Sequence, residues 1–197
     1  MQNRQAVDLS KAYRLLNHGP TVLVSSAHQG VRNVMAAAWS MPLDFSPPKI
    51  CVVVDRNTFT RELIDASGEF ALNIPSRQLA SATLAVGSTS GREGDKFAAL
   101  DLRTFAAEKI AAPLLEGCVG WLECRVVPEP HIQQQYDLFI GEVVAAWADP
   151  SAFKDGHWSF APGSARSIHY IAGGNFFETG DAFEVVPERL RESQRTR

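Results

Sequence analysis

Residues 50–63 read ICVVVDRNTFTREL, a valine-rich run that stops at Asp55 and is followed by Arg56, Asn57, Thr58, Thr60 and Arg61. An apparent helix begins there. A helix N-terminus presents free N–H groups and a partial positive charge, so cations and hydroxyls gathered at such a junction suit an anion. Taken alone, the same residues also describe a helix capped by Thr58 with solvated arginines beside it. A second segment, SGREGDKF at 90–97, adds Ser90, Arg92 and Lys96 on a glycine-rich backbone. Alone it is a surface loop; beside the first it adds positive charge. A third, NVMAAAWSMP at 33–42, reads as a strand with Asn33, Met35, Ala37, Trp39 and Met41 on one face. An amide, an indole, small residues and thioethers suit a flat aromatic heterocycle, and they equally describe a core face with Trp39 packed inside.

Other chemistries lack their spacing. GSTSGREGDK at 87–96 has glycines and a lysine, but Lys96 follows Asp95 and no hydroxyl residue comes next, so it is no Walker loop. No G-x-G-x-x-G follows a strand, and no G-x-S-x-G occurs. His18, His28, His131, His157 and His169 show no metal-ligand spacing, so no metal is expected. A dispersed Ser–His–Asp set is neither favoured nor removed. Cys51, Cys118 and Cys124 are too few and too unevenly spaced for a disulfide framework or a zinc site. Cys118 and Cys124, six apart in an expected strand, are placed on one core face.

Strands dominate the frame that must hold these residues. A short helix is expected over 8–17, with Asp8 near its N-cap and Gly19 past its end. Strands follow at 21–27 and 33–41, separated by the turn HQGVR, and at 49–55 after an SPP breaker. Residues 58–67 read as a helix ending at Gly68, 69–75 as a strand, 77–87 as a helix and 95–100 as a further helical turn. Two long strands, 118–129 and 136–149, are joined by the polar segment PHIQQQ and are expected to pair. Residues 167–180 combine a short strand with a glycine-rich turn, and 187–197 form a charged tail expected to be mobile. About six antiparallel strands with a few short helices make a mainly β fold, a small closed barrel.

The 197 residues, 45% hydrophobic and 21% charged, fit one domain over 1–186. A net charge of −3 with no Lys/Arg-rich block gives no reason to bind nucleic acid. MQNRQAVDLSKAY lacks the pattern of a signal peptide, and no apolar run approaches a membrane span. A reducing cytoplasm is the expected compartment.

In their order, these segments resemble the flavin reductase-like proteins of the FMN-binding split-barrel superfamily, including the flavoredoxin group. The resemblance covers roughly residues 10–180: N-x-M-x-x-x-W-S, R-x-T-x-T-x-x-L, GEFALNIP, S-G-R-x-x-D-K-F, ECRV and LFIGEVV. It implies a six-stranded antiparallel Greek-key split barrel and a homodimer with FMN near the interface. It also implies that Arg56, Thr58, Thr60 and Lys96 approach the ribityl phosphate, with Asn57, Ser90 and Arg92 as neighbours. Charge-assisted donors, and a guanidinium that engages two oxygens, are what a phosphate near the dianion requires. The 33–41 strand, with Met35, Trp39 and Met41, would lie along the isoalloxazine, and Asn33 and Ser40 would reach its polar edge. Many relatives carry a histidine where this chain has Tyr136, and a phenol does not titrate near neutral pH. Phe176 or Phe177 is expected near the flavin, and His169 on the substrate side.

The function so implied is hydride transfer from NAD(P)H to flavin, FMN foremost with FAD as substitute or substrate, and passage of electrons to an acceptor. The acceptor would be a partner monooxygenase or an electron-transfer protein. The flavin carries that chemistry, so the protein supplies position, electrostatics and access. Two other readings stay open at this stage: a flavoredoxin-like carrier reduced by a partner protein, and a non-catalytic flavin-binding protein. A cofactor-free barrel that binds DNA or protein would be colourless.

Overall fold

The structure, a computed structural model, describes residues 3–160 and 162–185. The charged tail expected over 187–197 lies outside the described residues. Strands β1 (Gln5–Ala6), β2 (Val22–His28), β3 (Val31–Ala37), β4 (Ser40–Phe45), β5 (Pro48–Val53) and β6 (Glu69–Pro75) occupy the first part. Strands β7 (Cys118–Val127), β8 (Leu138–Ala148), β9 (Ile168–Ala172) and β10 (Asn175–Glu178) follow. Four helices matter here: α1 (Phe59–Ser67), α2 (Ala80–Ser88), α3 (Lys96–Ala99) and α4 (Pro130–Tyr136). The expected N-terminal helix is a 3-10 helix, Leu9–Leu15, whose N-cap Asp8 accepts a hydrogen bond from Ser10 N.

The main antiparallel sheet runs β3-β2-β6-β7-β8-β5-β4, with β1 added beside β8, so it has eight strands. Six correspond to the expected strands. The others arise because β1 adds a two-residue pairing and because the run expected as one strand over 33–41 breaks at 38–39. Ala37 ends β3 on one edge of the sheet, while Ser40 begins β4 on the other, opposite Val52. Three residues of chain span at most about 11 Å, so the two edges must lie side by side and the sheet must curl round on itself. The barrel follows from that short link.

Side chains alternate across this curved sheet. Val24, Ile50, Val52, Phe70, Leu72 and Phe139 fill the interior with Leu122 and Cys124. A second layer, built by α2, α3 and the segment 100–115, covers the outer face over β2, β3, β6 and β7 with Val86, Phe97, Leu114 and Trp121. Strands buried on both faces read as continuous apolar runs, which is why CVVV and EFALNIP show little alternation. The outer layer is pinned by Glu123, a buried carboxylate that accepts from Glu108 N (3.0 Å), Lys109 N (2.6 Å) and Trp147 Nε1 (2.8 Å).

Cys118 and Cys124 do not share a face. Ile74 pairs with Gly120 and Pro75 with Cys118, which leaves Val119 as an extra residue in β7. That bulge inverts the alternation. Cys124 therefore packs inside the barrel and Cys118 in the outer layer. The segment joining the two long strands is also helical: α4 starts with Pro130, whose missing N–H costs nothing in a first turn. Among the described residues no helix is long and apolar enough to cross a membrane.

Candidate functional site

A groove of about 410 Å³ opens where β3, the 38–39 link, α2 and the β9–β10 hairpin meet. That volume is in the range of small-molecule sites, roughly 300–1,000 Å³. Met35, Ala36, Ala37, Ala38 and Trp39 form one wall, and three successive alanines keep it free of projecting side chains. Thr83, Leu84, Gly87 and Ser88 of α2 form the facing wall. A Cβ on Gly87 would come within 3.3 Å of the Ala36 Cβ, so the helix presses close to β3 there. Tyr170 and Phe176, edge-on at 5.2 Å between ring centroids, contribute aromatic surface. Asp55, where β5 hands over to α1, also lines the groove.

The hairpin owes its place to a few bonds. Gly173 and Gly174, both at positive φ, make its two-residue turn. Tyr170 N donates to Thr21 Oγ1 at 2.7 Å, and Thr21 N to Ile168 O at 3.0 Å. His169 Nδ1 lies 2.9 Å from Gly19 O, so this nitrogen carries the proton. Its Nε2 is 3.3 Å from Thr179 Oγ1, Thr179 Oγ1 is 2.6 Å from Ser167 Oγ, and Ser167 Oγ is 2.8 Å from His18 Nε2. Two histidines thus bracket a pair of hydroxyls behind the groove. Burial lowers both their pKa values, that of His18 to about 4, with His169 nearby adding to the effect on His18. Phe177 stacks on His169 at 4.6 Å, facing away from the groove that Phe176 lines.

The strand-to-helix junction is built as a rim. Thr58 is the N-cap of α1: its Oγ1 accepts from Arg61 N at 3.2 Å and donates to Asp55 O at 2.8 Å. Asp55 Oδ1 accepts from Asn57 N. Arg92 donates to Asn57 O at 2.8 Å and pairs with Glu62, which ties the 88–95 loop to the junction. Ser90 Oγ accepts from Arg92 N. Arg56, exposed, directs Nε to Asp137 and Nη2 to Gln134 O at 2.7 Å. Asp55 and Ser88 line the groove two residues before Asn57 and Ser90, so this rim stands at that end of it.

Several expected ligands lie elsewhere. Lys96 is only 7% exposed, and its Nζ donates to Val34 O (2.9 Å) and Val86 O (2.8 Å). Its ammonium bolts β3 to α2 instead of facing an open phosphate site, and burial lowers its pKa. Asn33 and Thr60 are buried and bonded to each other, Nδ2 to Oγ1 at 2.9 Å. The 90–92 backbone passes directly over them: a Cβ on Gly91 would fall 2.2 Å from Asn33 Oδ1. Asn33 therefore supports the loop, and it is not among the residues that line the groove. Arg61, 8% exposed, is neither solvated nor turned to the rim. It bonds Asp65, Asp137, Val54 O and Gln133 O, with its guanidinium 4.5 Å from the Phe139 ring centroid.

Of the remaining expected residues, Met35, Trp39 and Phe176 line the groove; Ser40, Met41, Tyr136 and His169 do not. Met41 and Tyr136 are exposed, and Ser40 Oγ is buried without a partner. Sequence reasoning missed Thr21, Asp55, Thr83, Leu84, Ser88 and Tyr170. A usable signal existed in α2, ASATLAVGS, whose hydroxyls and glycine interrupt any apolar stripe. A helix without one dominant apolar face can serve two surfaces.

The profile of the flavin reductase like domain matches residues 14–169. The chain belongs to this family. A flavin reductases-like, FMN-binding domain from Shewanella baltica OS155 is 49% identical, covers 94% of this chain and 98% of its own, and superposes with a TM-score of 0.90. The Escherichia coli K12 protein YddH is 44% identical over 177 residues, which is 88% of this chain and 94% of that protein. Flavoredoxin of Desulfovibrio vulgaris (Miyazaki F) is 25% identical, covers 88% of this chain and 92% of its own, and has a TM-score of 0.73. The fold is thus shared with the two solved structures, and the groove lies on its β3 wall.

Proposed function

We propose that this flavin reductase-like chain binds FMN in the groove and acts as an NAD(P)H-dependent oxidoreductase that delivers electrons to a separate acceptor. The single observation that carries this reading is an alanine-floored, aromatic-walled groove ending at an arginine- and hydroxyl-rich rim. Such a cleft suits a planar ring with an anionic tail. Met35, the alanines, Trp39 and Phe176 would hold the ring. Arg56, Arg92, Ser90 and the Asn57–Thr58 backbone would take the phosphate, with FAD accepted where its longer tail can leave past the rim. When bound, the flavin supplies the hydride-accepting and electron-passing chemistry. The chain's own task is orientation and exclusion of water: Lys96 sets the spacing of the two walls, and the hairpin carries Tyr170 and Phe176 against the ring site.

A homodimer completes the site in this reading. Met41 and Ile140 both face Cys51 across the sheet, and Leu138 faces Val53, so these residues share the outer face of β4, β5 and β8. Trp39, 75% exposed, adjoins them and also lines the groove. A second copy seated on this apolar face would cover the indole and close the groove's open side.

Anaerobic addition of NADH or NADPH to the FMN-loaded protein tests the donor. Bleaching of the blue absorbance within seconds by either nucleotide alone is expected. Flavin that stays oxidised until a reduced partner protein is added would instead favour the electron-carrier reading, to which the likeness to flavoredoxin lends support.

A further inference from the structure

Both exposed arginines of the rim are already paired with carboxylates, but the two pairs differ in kind. Asp137, which receives Arg56, also receives Arg61, and only 17% of its side chain is exposed. It is held from two sides and belongs to the fold. Glu62 meets only Arg92 among the described residues, and the two side chains are 54% and 44% exposed. An ion pair open to water on both sides is worth little and exchanges easily for another. Arg92 directs Nη1 to Asn57 O at 2.8 Å and Nη2 to Glu62 Oε1, with its guanidinium carbon 5.9 Å from the Phe59 ring centroid. A guanidinium grips a phosphate best with two parallel N–H groups on two oxygens. A carboxylate on one arm of the fork competes for that grip.

We infer that Glu62 is a built-in competitor for the flavin's phosphate: its carboxylate holds Arg92 until the phosphate takes its place. The effect is to lower affinity for phosphorylated flavins and to speed their release, so that FMN is an exchangeable ligand. This rests on the flavin reading above, with the phosphate at the rim. Glu62 is a stand-in because of where it sits. It lies in the first turn of α1, where an anion gains from the same free N–H groups and partial positive charge that favour a phosphate. Charge decides the direction of the effect. Around the rim Arg56, Arg61 and Arg92 bond to Asp65, Asp137 and Glu62, and Asp55 adds a fourth carboxylate beside them. A phosphate added to that set is opposed unless a carboxylate withdraws. Glu62 is the one tied solely to a rim arginine.

Fluorescence titration of FMN and riboflavin into wild type, Glu62→Gln, Arg92→Gln and the double variant tests this. Glu62→Gln should bind FMN roughly threefold to fivefold more tightly, release it correspondingly more slowly in stopped flow, and bind riboflavin within about twofold of wild type. Glu62→Ala should repeat that gain, which keeps the test decisive if one of the two variants folds poorly. In the Arg92→Gln background, Glu62→Gln should leave FMN affinity within about twofold, because nothing remains to compete for. An equal gain in both backgrounds would make Glu62 a source of general repulsion and overturn the inference. FMN affinity that stays at the wild-type value or falls would overturn it while leaving the flavin reading intact. A gain shared equally by riboflavin would place the effect at the ring and overturn it too. A wild-type protein that binds neither flavin overturns the functional reading, and this inference with it.

Discussion

Four cations near the groove have three different employments, and their substitution should separate them. Arg56 and Arg92 sit exposed at the rim, so Arg56→Ala should reduce affinity for FMN roughly tenfold or more and leave riboflavin binding nearly unchanged. Comparing the two dissociation constants in wild type and variant checks it, and an unchanged FMN-to-riboflavin ratio would remove Arg56 from the phosphate site. Lys96→Met should behave otherwise: two buried carbonyls, Val34 O and Val86 O, lose their donor, and both flavins should bind more weakly as the walls drift apart. Arg61→Ala should cost about 2–3 kcal/mol in urea unfolding, because Asp137, the buried Val54 O and the half-buried Gln133 O lose a common partner. Thr58 was legible from sequence because capping is local: its partners Arg61 N and Asp55 O lie three residues either side. Arg61 and Lys96 were less so: Arg61's i, i+4 pair with Asp65 is local, but its bonds to residues 133 and 137, and that of Lys96 to residue 34, join points of the chain that no spacing rule covers.

Among the elements, the β9–β10 hairpin is the one whose attachment should respond to pH. His18 and His169 are held neutral, and His18 Nδ1 has no partner among the described residues, so a second proton there has nowhere to bond. The neighbouring charges are committed elsewhere: Arg166 to Asp181, Glu178 to Arg77 and Arg14 to His157. With the folded-state pKa of His18 at about 4 and the ordinary value at 6.5, the unfolded chain binds this proton first. The stability it protects is therefore complete above about pH 6.5 and falls as pH drops toward 4, by roughly 3 kcal/mol in all. His18→Gln should flatten this part of the stability-against-pH curve, measured by urea melts between pH 4 and 7. An unaltered slope would exclude His18 as its source. The turn GGN and the strand before it could be read directly from the sequence. The docking of the hairpin could not, since it depends on Gly19, Thr21 and His18, some 150 residues earlier.

For the molecule as a whole, the succession of strand-like runs separated by turns was enough to give a mainly β barrel, but two local irregularities escaped it. The break at 38–39 carries the chain from one sheet edge to the other, and the Val119 bulge reverses the facing of everything before it in β7. Both leave the local apolar pattern unchanged, so periodicity alone passes over them. The same break puts Trp39 at the lip of the groove and at the edge of the apolar outer face. On the proposed dimer, Met41→Glu should yield a monomer by light scattering and also weaken FMN binding, because the groove would lose the cover of a second copy. A Met41→Glu protein that remains dimeric would place the interface on another face.

FMN titration of wild type beside Ala38→Phe tests the central claim most directly, because Ala38 lies exposed on the groove wall and a phenyl ring there would occupy the ring site without disturbing the core. The account predicts a yellow wild-type protein, or one that quenches FMN fluorescence with one site per chain, and an Ala38→Phe variant that melts normally and binds at least tenfold more weakly. A colourless wild type that neither quenches FMN nor gains thermal stability from it would contradict the account, as would an Ala38→Phe variant that binds FMN as tightly as wild type.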